Sequence, residues 1–301
     1  MMGRPAQILR RWWSPLARRA ALAYVAGPTF DDAMRACRHA RRAGVASAVG
    51  FWDPPDETPE GVARTYLSAV DTLGREALDC YLSVKAPSLG FSLELWLEIV
   101  ERARSKGTRV HFDALGPESV GRTFDLIETG LARHPRLGCT LPGRWRRSLS
   151  DANRAVELGL AVRIVKGEFP DQDGAEIDPR QGFLAVVDRL AGRARFVGVA
   201  THDAALVRLA LERLLSTGTP CEAELLFGLP SGDPSRVARG KGVATRLYVP
   251  FGQGALPYRL SQARQRPEVL WWAMRDLVRA RATAAASVDM GSAWTMTAER
   301  R

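Results

Sequence analysis

Phe196-Val197-Gly198-Val199-Ala200-Thr201-His202-Asp203 leads directly into the amphipathic stretch Asp203–Leu215. A short apolar run of strand length is followed, after one polar turn, by a helix-period segment. The same pattern recurs along the chain. Strand-like runs fall at Val45–Phe51, Leu78–Lys85, Arg109–Asp113, Leu137–Leu141, Ala161–Lys166, Phe196–Ala200, Glu222–Phe227 and Arg246–Val249. Helical stretches lie between them. In Leu93–Ser105, Leu93, Trp96, Leu97 and Val100 form one apolar side; others are Glu118–Arg133, Asp151–Leu158, Arg180–Leu190, Asp203–Leu215 and Leu256–Ala282. Eight largely apolar strands alternating with helices predict a parallel sheet buried on both faces. An open doubly wound sheet is the alternative, but no Gly-x-Gly-x-x-Gly follows any strand. The count favours an α/β fold of the (β/α)8 TIM-barrel type.

Composition narrows the class further. With 46% hydrophobic residues among 301, the chain can build a packed core and is not a disordered tail. Cys37, Cys80, Cys139 and Cys221 are far apart and include no Cys-x-x-Cys pair, which argues against a zinc site, a redox dithiol or a disulfide scaffold; no metal is expected. The formal charge is +10, yet only four of the 43 basic residues are lysine, and the arginines are scattered rather than massed in a block. That distribution argues against a nucleic-acid partner.

No apolar stretch reaches the ~18 residues that a membrane span requires. Met1–Gly27 is basic and amphipathic, with Arg10, Arg11, Arg18 and Arg19 among Ile8, Leu9, Trp12, Trp13 and Leu16. It lacks the apolar core and cleavage site of a secretory signal. A helix packed on the domain and a membrane-surface anchor both fit it. The expected division is residues 1–44 as an N-terminal helical segment, 45–284 as the barrel and 285–301 as a tail, in a cytoplasmic protein with the first segment open to peripheral membrane contact.

In a barrel, chemistry belongs at the carboxyl ends of the strands. Those ends carry Phe51-Trp52-Asp53, Lys85, Asp113, Leu141-Pro142, Lys166-Gly167, Thr201-His202-Asp203, Phe227-Gly228 and Pro250-Phe251-Gly252. Two of the four lysines fall there, as do Asp113 and His202. Lysine, in a chain that otherwise uses arginine, supplies a compact charge with a pKa that can move. Arg163 and Lys166 are three apart, so a regular strand would point them to opposite faces; both reach one ligand only if the strand ends or twists near Lys166. Gly167 admits close backbone approach there. Thr201-His202-Asp203 opens a helix, which suits a diphosphate but equally a plain N-cap by Thr201 or Asp203. His202 also fits a hydrogen-bonded structural histidine.

Val162-Arg163-Ile164-Val165-Lys166-Gly167, Ala200-Thr201-His202-Asp203, Glu222-Ala223-Glu224-Leu225-Leu226-Phe227-Gly228 and Arg246-Leu247-Tyr248-Val249-Pro250-Phe251-Gly252 occur in that order. With Ser83-Val84-Lys85 and Arg266-Pro267, they resemble the proline dehydrogenases, FAD-dependent enzymes on distorted (β/α)8 barrels, over residues 30 to 282. The resemblance implies FAD as cofactor and places Arg163, Lys166, Gly167, Thr201, His202 and Glu224 around it. It implies a substrate side of Lys85, Asp113 and Tyr248, with Lys85 facing a substrate carboxylate and Asp113 pairing with Lys85.

The sequence departs from the family in its last helix. The family's pattern of Tyr, Arg-Arg and Glu, aligned on Tyr258 and Arg266-Pro267, meets Ser261, Gln262 and Gln265 here. Positions 258, 261, 262 and 265 share a helical face. By resemblance, Tyr258 and these three line the substrate site without the arginines that hold the proline carboxylate. Pro142 and Glu224 stand where glutamines are usual, and Glu168 and Phe169 replace a small residue and a tyrosine. The expected activity is oxidation of a proline-like or other cyclic amine to an imine, with hydride passing to FAD and then to a quinone, protein carrier or oxygen. Free L-proline is disfavoured; ordinary L-proline dehydrogenase activity, giving pyrroline-5-carboxylate, and a repurposed non-catalytic barrel are the alternatives.

Overall fold

The computed structural model describes residues 24–169, 171 and 177–253. Residues 1–23 and 254–301, which include the helix expected at Leu256–Ala282 and the tail 285–301, lie outside the described residues. Eight parallel strands close into a barrel in sequence order: β1 (Ala46–Trp52), β2 (Cys80–Val84), β3 (Val110–Phe112), β4 (Leu137–Pro142), β5 (Ala161–Val165), β6 (Phe196–Ala200), β7 (Cys221–Leu226) and β8 (Thr245–Gly252). β8 pairs with β1 from Ala46↔Arg246 to Trp52↔Gly252 and closes the ring.

The helices are α1 (Phe30–Arg42), α2 (Pro59–Leu73), α3 (Leu93–Lys106), α4 (Val120–Leu131), α5 (Ser148–Glu157), α6 (Pro179–Leu190), α7 (Ala204–Ser216) and α8 (Gly232–Gly240). Their starts are written locally. Thr29 and Asp32 form a reciprocal capping box on α1, Thr58 caps α2, Ser92 caps α3 and Asp203 caps α7. The apolar periodicity predicts neither α2 nor α8. α2 opens Pro-Glu-Gly, and α8 starts and ends with glycine around Pro234, so both look like loops by propensity. α1 packs on the barrel: Phe30 meets Phe251 edge-on at 5.2 Å, and the Ala26 N–H donates to the Pro250 carbonyl.

The sheet is buried on both faces, as the strand pattern predicts, but the two faces differ in kind. The outward residues of the strands are mostly apolar and covered by helices: Phe51 meets Tyr66 of α2, and Phe112 meets Trp96 of α3. Val49, Leu82, Ile164, Val199 and Val249 are wholly buried in this layer. The inward residues are mostly polar or small, with Phe196 at the foot of β6 an exception. Contacts between strands that are not neighbours, such as Tyr81 on β2 with Glu224 on β7, can form only across the lumen. Gly50 belongs to this inner face. A Cβ placed there would lie 2.0 Å from the Tyr248 hydroxyl, so its absence makes room for a large side chain from β8.

Candidate active site

Among the described residues, three groups of charged side chains occupy the upper lumen and the carboxyl ends of the strands. The deepest centres on Arg163 of β5, which is 5% exposed. Its guanidinium pairs with Asp113, just past β3, and Nε lies 2.8 Å from Glu224 Oε1. The Glu224 contact is Coulombic and off the hydrogen-bonding line, since neither atom has an in-line partner. Arg163 Nη2 also donates to the Tyr81 hydroxyl at 2.7 Å, and that hydroxyl donates to Glu224 Oε2 at 2.8 Å. Asp113 accepts from Ser83 Oγ at 2.7 Å and from the Tyr248 hydroxyl at 2.8 Å. The Arg163 guanidinium lies 4.9 Å from the centroid of the Tyr248 ring.

A buried cation between two carboxylates is held by their fields. Burial disfavours the charge on Arg163, but Glu224, Tyr81 and Asp113 outweigh it and keep the guanidinium charged. Burial, followed by the Asp113 charge, pushes the Tyr248 phenol well above its ordinary value, so it remains a proton donor. Below it, burial and then the Arg163 charge hold His111 well below the usual histidine range, hence neutral.

The second group is Lys85, one residue past β2. Its ammonium donates to the Phe51 carbonyl at 2.8 Å and pairs with Asp53 at 3.0 Å, while Ser88 donates to the other Asp53 oxygen at 2.9 Å. This corrects the expected Lys85–Asp113 pair. The register Val84↔Phe112, continued by one residue, does set Lys85 beside Asp113. Asp113, however, turns into the lumen towards Arg163, the more deeply buried cation, and Lys85 turns to β1.

The third group lies where β5 and β6 end. β5 stops at Val165, which frees Lys166 from the strand alternation, so Arg163 and Lys166 serve different clusters. Lys166 Nζ is 3.4 Å from Asp203 Oδ2, and Arg180 of α6 pairs with the same oxygen. Burial alone would raise the Asp203 carboxyl; the Leu206 N–H, Lys166 and Arg180 outweigh burial and hold it below its ordinary value. Gly167 has φ +93°, and a Cβ there would meet Pro142 at 2.8 Å and Arg144 at 2.9 Å. Two cations sharing one carboxylate, beside a glycine cradle and the start of α7, can take a diphosphate.

Asp203, not Thr201, is the α7 cap: Leu206 N–H donates to Asp203, and Asp203 N–H donates to Thr201 Oγ1. His202 accepts the Leu226 N–H at Nε2, 2.9 Å away, which puts its proton on Nδ1, 2.9 Å from the Pro230 carbonyl. Both nitrogens thus tie β6 to β7 and its following loop, the structural use of this residue. Glu224 sits in the lumen beneath Arg163. Tyr258, Ser261, Gln262 and Gln265 lie outside the described residues.

Sequence reading did not single out Asp53, Tyr81 or Arg180 as site groups. The signal for Tyr81 was present as alternation. Tyr81-Leu82-Ser83-Val84-Lys85 and Arg109-Val110-His111-Phe112-Asp113 each place every second residue, all polar, on one face.

No family model matches the chain. It is similar along most of its length to proline dehydrogenase 1 of Bacillus subtilis strain 168, at 22% identity over 282 residues, covering 87% of this chain and 92% of that protein. It is 19% identical over 290 residues to proline dehydrogenase 2 of the same strain, covering 91% and 94%. Among solved structures, proline utilization A from Bdellovibrio bacteriovorus, inactivated by N-propargylglycine, superposes with a TM-score of 0.66 at 15% identity, covering 80% of this chain and 32% of that one. A Bradyrhizobium japonicum proline utilization A mutant gives 0.59 at 19% identity, covering 72% and 28%. The chain thus spans about a third of the length of these structures, and they share its barrel.

Proposed function

We propose that the chain is a flavin-dependent oxidoreductase of the proline-dehydrogenase type whose substrate is a cyclic secondary amine with a masked or missing carboxylate. The observation that carries the substrate class is the commitment of Lys85 and Arg163 to internal partners. Lys85 is engaged by Asp53 and the Phe51 carbonyl, and Arg163 by Asp113 and Glu224. A substrate carboxylate would have to compete with an internal carboxylate for either one. The sequence replaces further arginines by Ser261 and Gln262, which removes charge-assisted hydrogen bonds of roughly 1.5–3 kcal/mol each.

FAD fits the residues present. Lys166 and Arg180 would hold its diphosphate beside the Gly167 cradle, and Arg163 would face the reacting end from the lumen. When bound, the flavin supplies the hydride acceptor. The protein supplies position and charge. Asp113, fixed by Ser83, Arg163 and Tyr248, keeps a negative charge in the upper lumen, and Tyr248 keeps its proton and holds that carboxylate in place. The imine product requires the amine to give up its proton before or with hydride loss.

Purified protein reconstituted with FAD is expected to show a flavin spectrum that bleaches anaerobically at least about tenfold faster with prolinamide, proline methyl ester or pyrrolidine than with L-proline, the discrimination expected from about 1.4 kcal/mol. A protein that takes up no flavin overturns the oxidoreductase reading and leaves a repurposed barrel. Fast bleaching by dilute L-proline overturns the substrate class and restores ordinary proline oxidation.

A further inference from the structure

The floor of the barrel is closed on one side only. Arg246 of β8 spans the β7–β8–β1–β2 side: Nε donates to Glu222 Oε1 at 2.6 Å, Nη1 to the Ser47 carbonyl at 2.7 Å, and Nη2 pairs with Asp79 at 3.2 Å. Opposite it Gly138 on β4, Ala161 on β5 and Gly198 on β6 fill almost no volume, and Phe196 at the foot of β6 forms an apolar wall. A cavity of about 260 Å³ remains there, open to solvent between the amino ends of β3 and β6 and reaching up to Tyr81, His111 and Arg163.

The charge around this cavity is unevenly matched. Glu222 is matched by Arg246, Arg163 by Glu224 and Asp113, and Arg109 by Asp79. Arg136 and Arg195, just before β4 and β6, have no carboxylate within ion-pair distance among the described residues. Each is steadied by a backbone carbonyl instead: Arg136 Nη1 donates to Gly107 at 2.7 Å and Arg195 Nη1 to Pro135 at 3.1 Å. A carbonyl orients a guanidinium without cancelling its charge, and each retains donors for another acceptor. The arrangement is thus a part-enclosed cavity with two oriented, uncompensated guanidiniums at its rim and a buried one at its inner end.

We infer that the barrel floor is a second ligand site, separate from the mouth, which binds a small dianion of the phosphate or short-dicarboxylate kind between Arg136 and Arg195. The volume admits either. Guanidinium forks grip paired oxygens bidentately, and two of them match two charges. The site does not depend on flavin binding or on the reading of the mouth.

Thermal unfolding of the full chain at constant ionic strength, titrated with inorganic phosphate, succinate, acetate or chloride, tests the proposal. Phosphate or succinate is expected to raise the midpoint in a saturable way that acetate and chloride do not match, and whichever does so identifies the source. Arg136→Gln with Arg195→Gln is expected to weaken that dianion at least about tenfold, the loss of at least one charge-assisted contact. Arg208→Gln with Arg239→Gln, exposed arginines on α7 and α8, should leave it unchanged. If the rim variant does not fold, phenylglyoxal footprinting of the wild-type chain replaces it: the dianion should protect Arg136 and Arg195 but not Arg208. No saturable rise with either dianion beyond that with acetate or chloride, undiminished affinity in the rim variant, or no selective protection would each overturn the site.

Discussion

Residues 163 and 164 are neighbours in sequence and opposite in physics. Ile164 points out from β5 into a dry layer shared with the helices, whereas Arg163 points into a lumen of carboxylates, hydroxyls and imidazole. The whole sheet repeats this division. Its outer face supplies the hydrophobic stabilisation, roughly 25 cal/mol per Å² of apolar surface removed from water. Its inner face carries charges that are costly to desolvate and add little net stability even when paired. Because the outer layer already holds the barrel closed, the lumen is free to carry a charged site, and small residues such as Gly50 give large polar side chains room.

Breaking the inner face should have the largest effect. Arg163→Met leaves Asp113 and Glu224 in the lumen without their shared cation, and is expected to cost about 3–5 kcal/mol in urea unfolding. Adding Glu224→Gln to that variant should recover about 1 kcal/mol, because one orphaned charge is gone. A loss under 1 kcal/mol for Arg163→Met would mean that water solvates the lumen freely. On the outer face, Ile164→Ala is expected to cost about 3 kcal/mol by cavity formation, with no recovery from Glu224→Gln. Any recovery there would show that the two faces are coupled.

The inner face should also leave a mark on acid stability that the outer face cannot. His111 is held neutral by burial and by Arg163, Arg109 and Arg246, so its folded pKa lies below the unfolded value of about 6.5. Between those two values the unfolded chain binds a proton that the folded chain does not. Stability attributable to His111 is therefore complete above pH ~6.5 and falls as pH drops, by up to about 1.4 kcal/mol per pH unit. His111→Asn should flatten this limb of the stability curve between pH 7 and 5, and an unchanged slope would contradict the assignment.

The smallest effect belongs at the strand ends. Asp203→Ala removes the α7 cap and the shared partner of Lys166 and Arg180, and is expected to cost about 1 kcal/mol at pH 7. The Asp203 carboxyl is held below its ordinary pKa, so its contribution is present above pH ~4 and is lost below it. The stability gap between wild type and variant should close in acid. A gap that persists at low pH would point to packing rather than charge.

Much of this was legible without coordinates, for reasons that differ by element. Strands such as Phe196–Ala200 are short apolar runs between polar turns, and the parallel repeat made their number countable. α2 and α8 escaped because tertiary packing overrides their glycine and proline content. Lys85, Asp113, Arg163 and Tyr248 were each legible as strand-end or motif residues. Their partners were not, because three carboxylates, Asp53, Asp113 and Glu224, lie within reach of two cations. Spacing along a strand does not say which of them faces which.

The sequence by itself determined the eightfold repeat, the charged and polar residues at the strand ends and the likeness to proline dehydrogenases, since these depend on residue type and local period. Tertiary structure alone decided that Lys85 turns to Asp53 while Asp113 goes to Arg163, that His202 ties two strand ends together, and that the floor stays open between Arg136 and Arg195. These outcomes depend on strand stagger and on which cation lies deepest, and both are set only when the barrel closes.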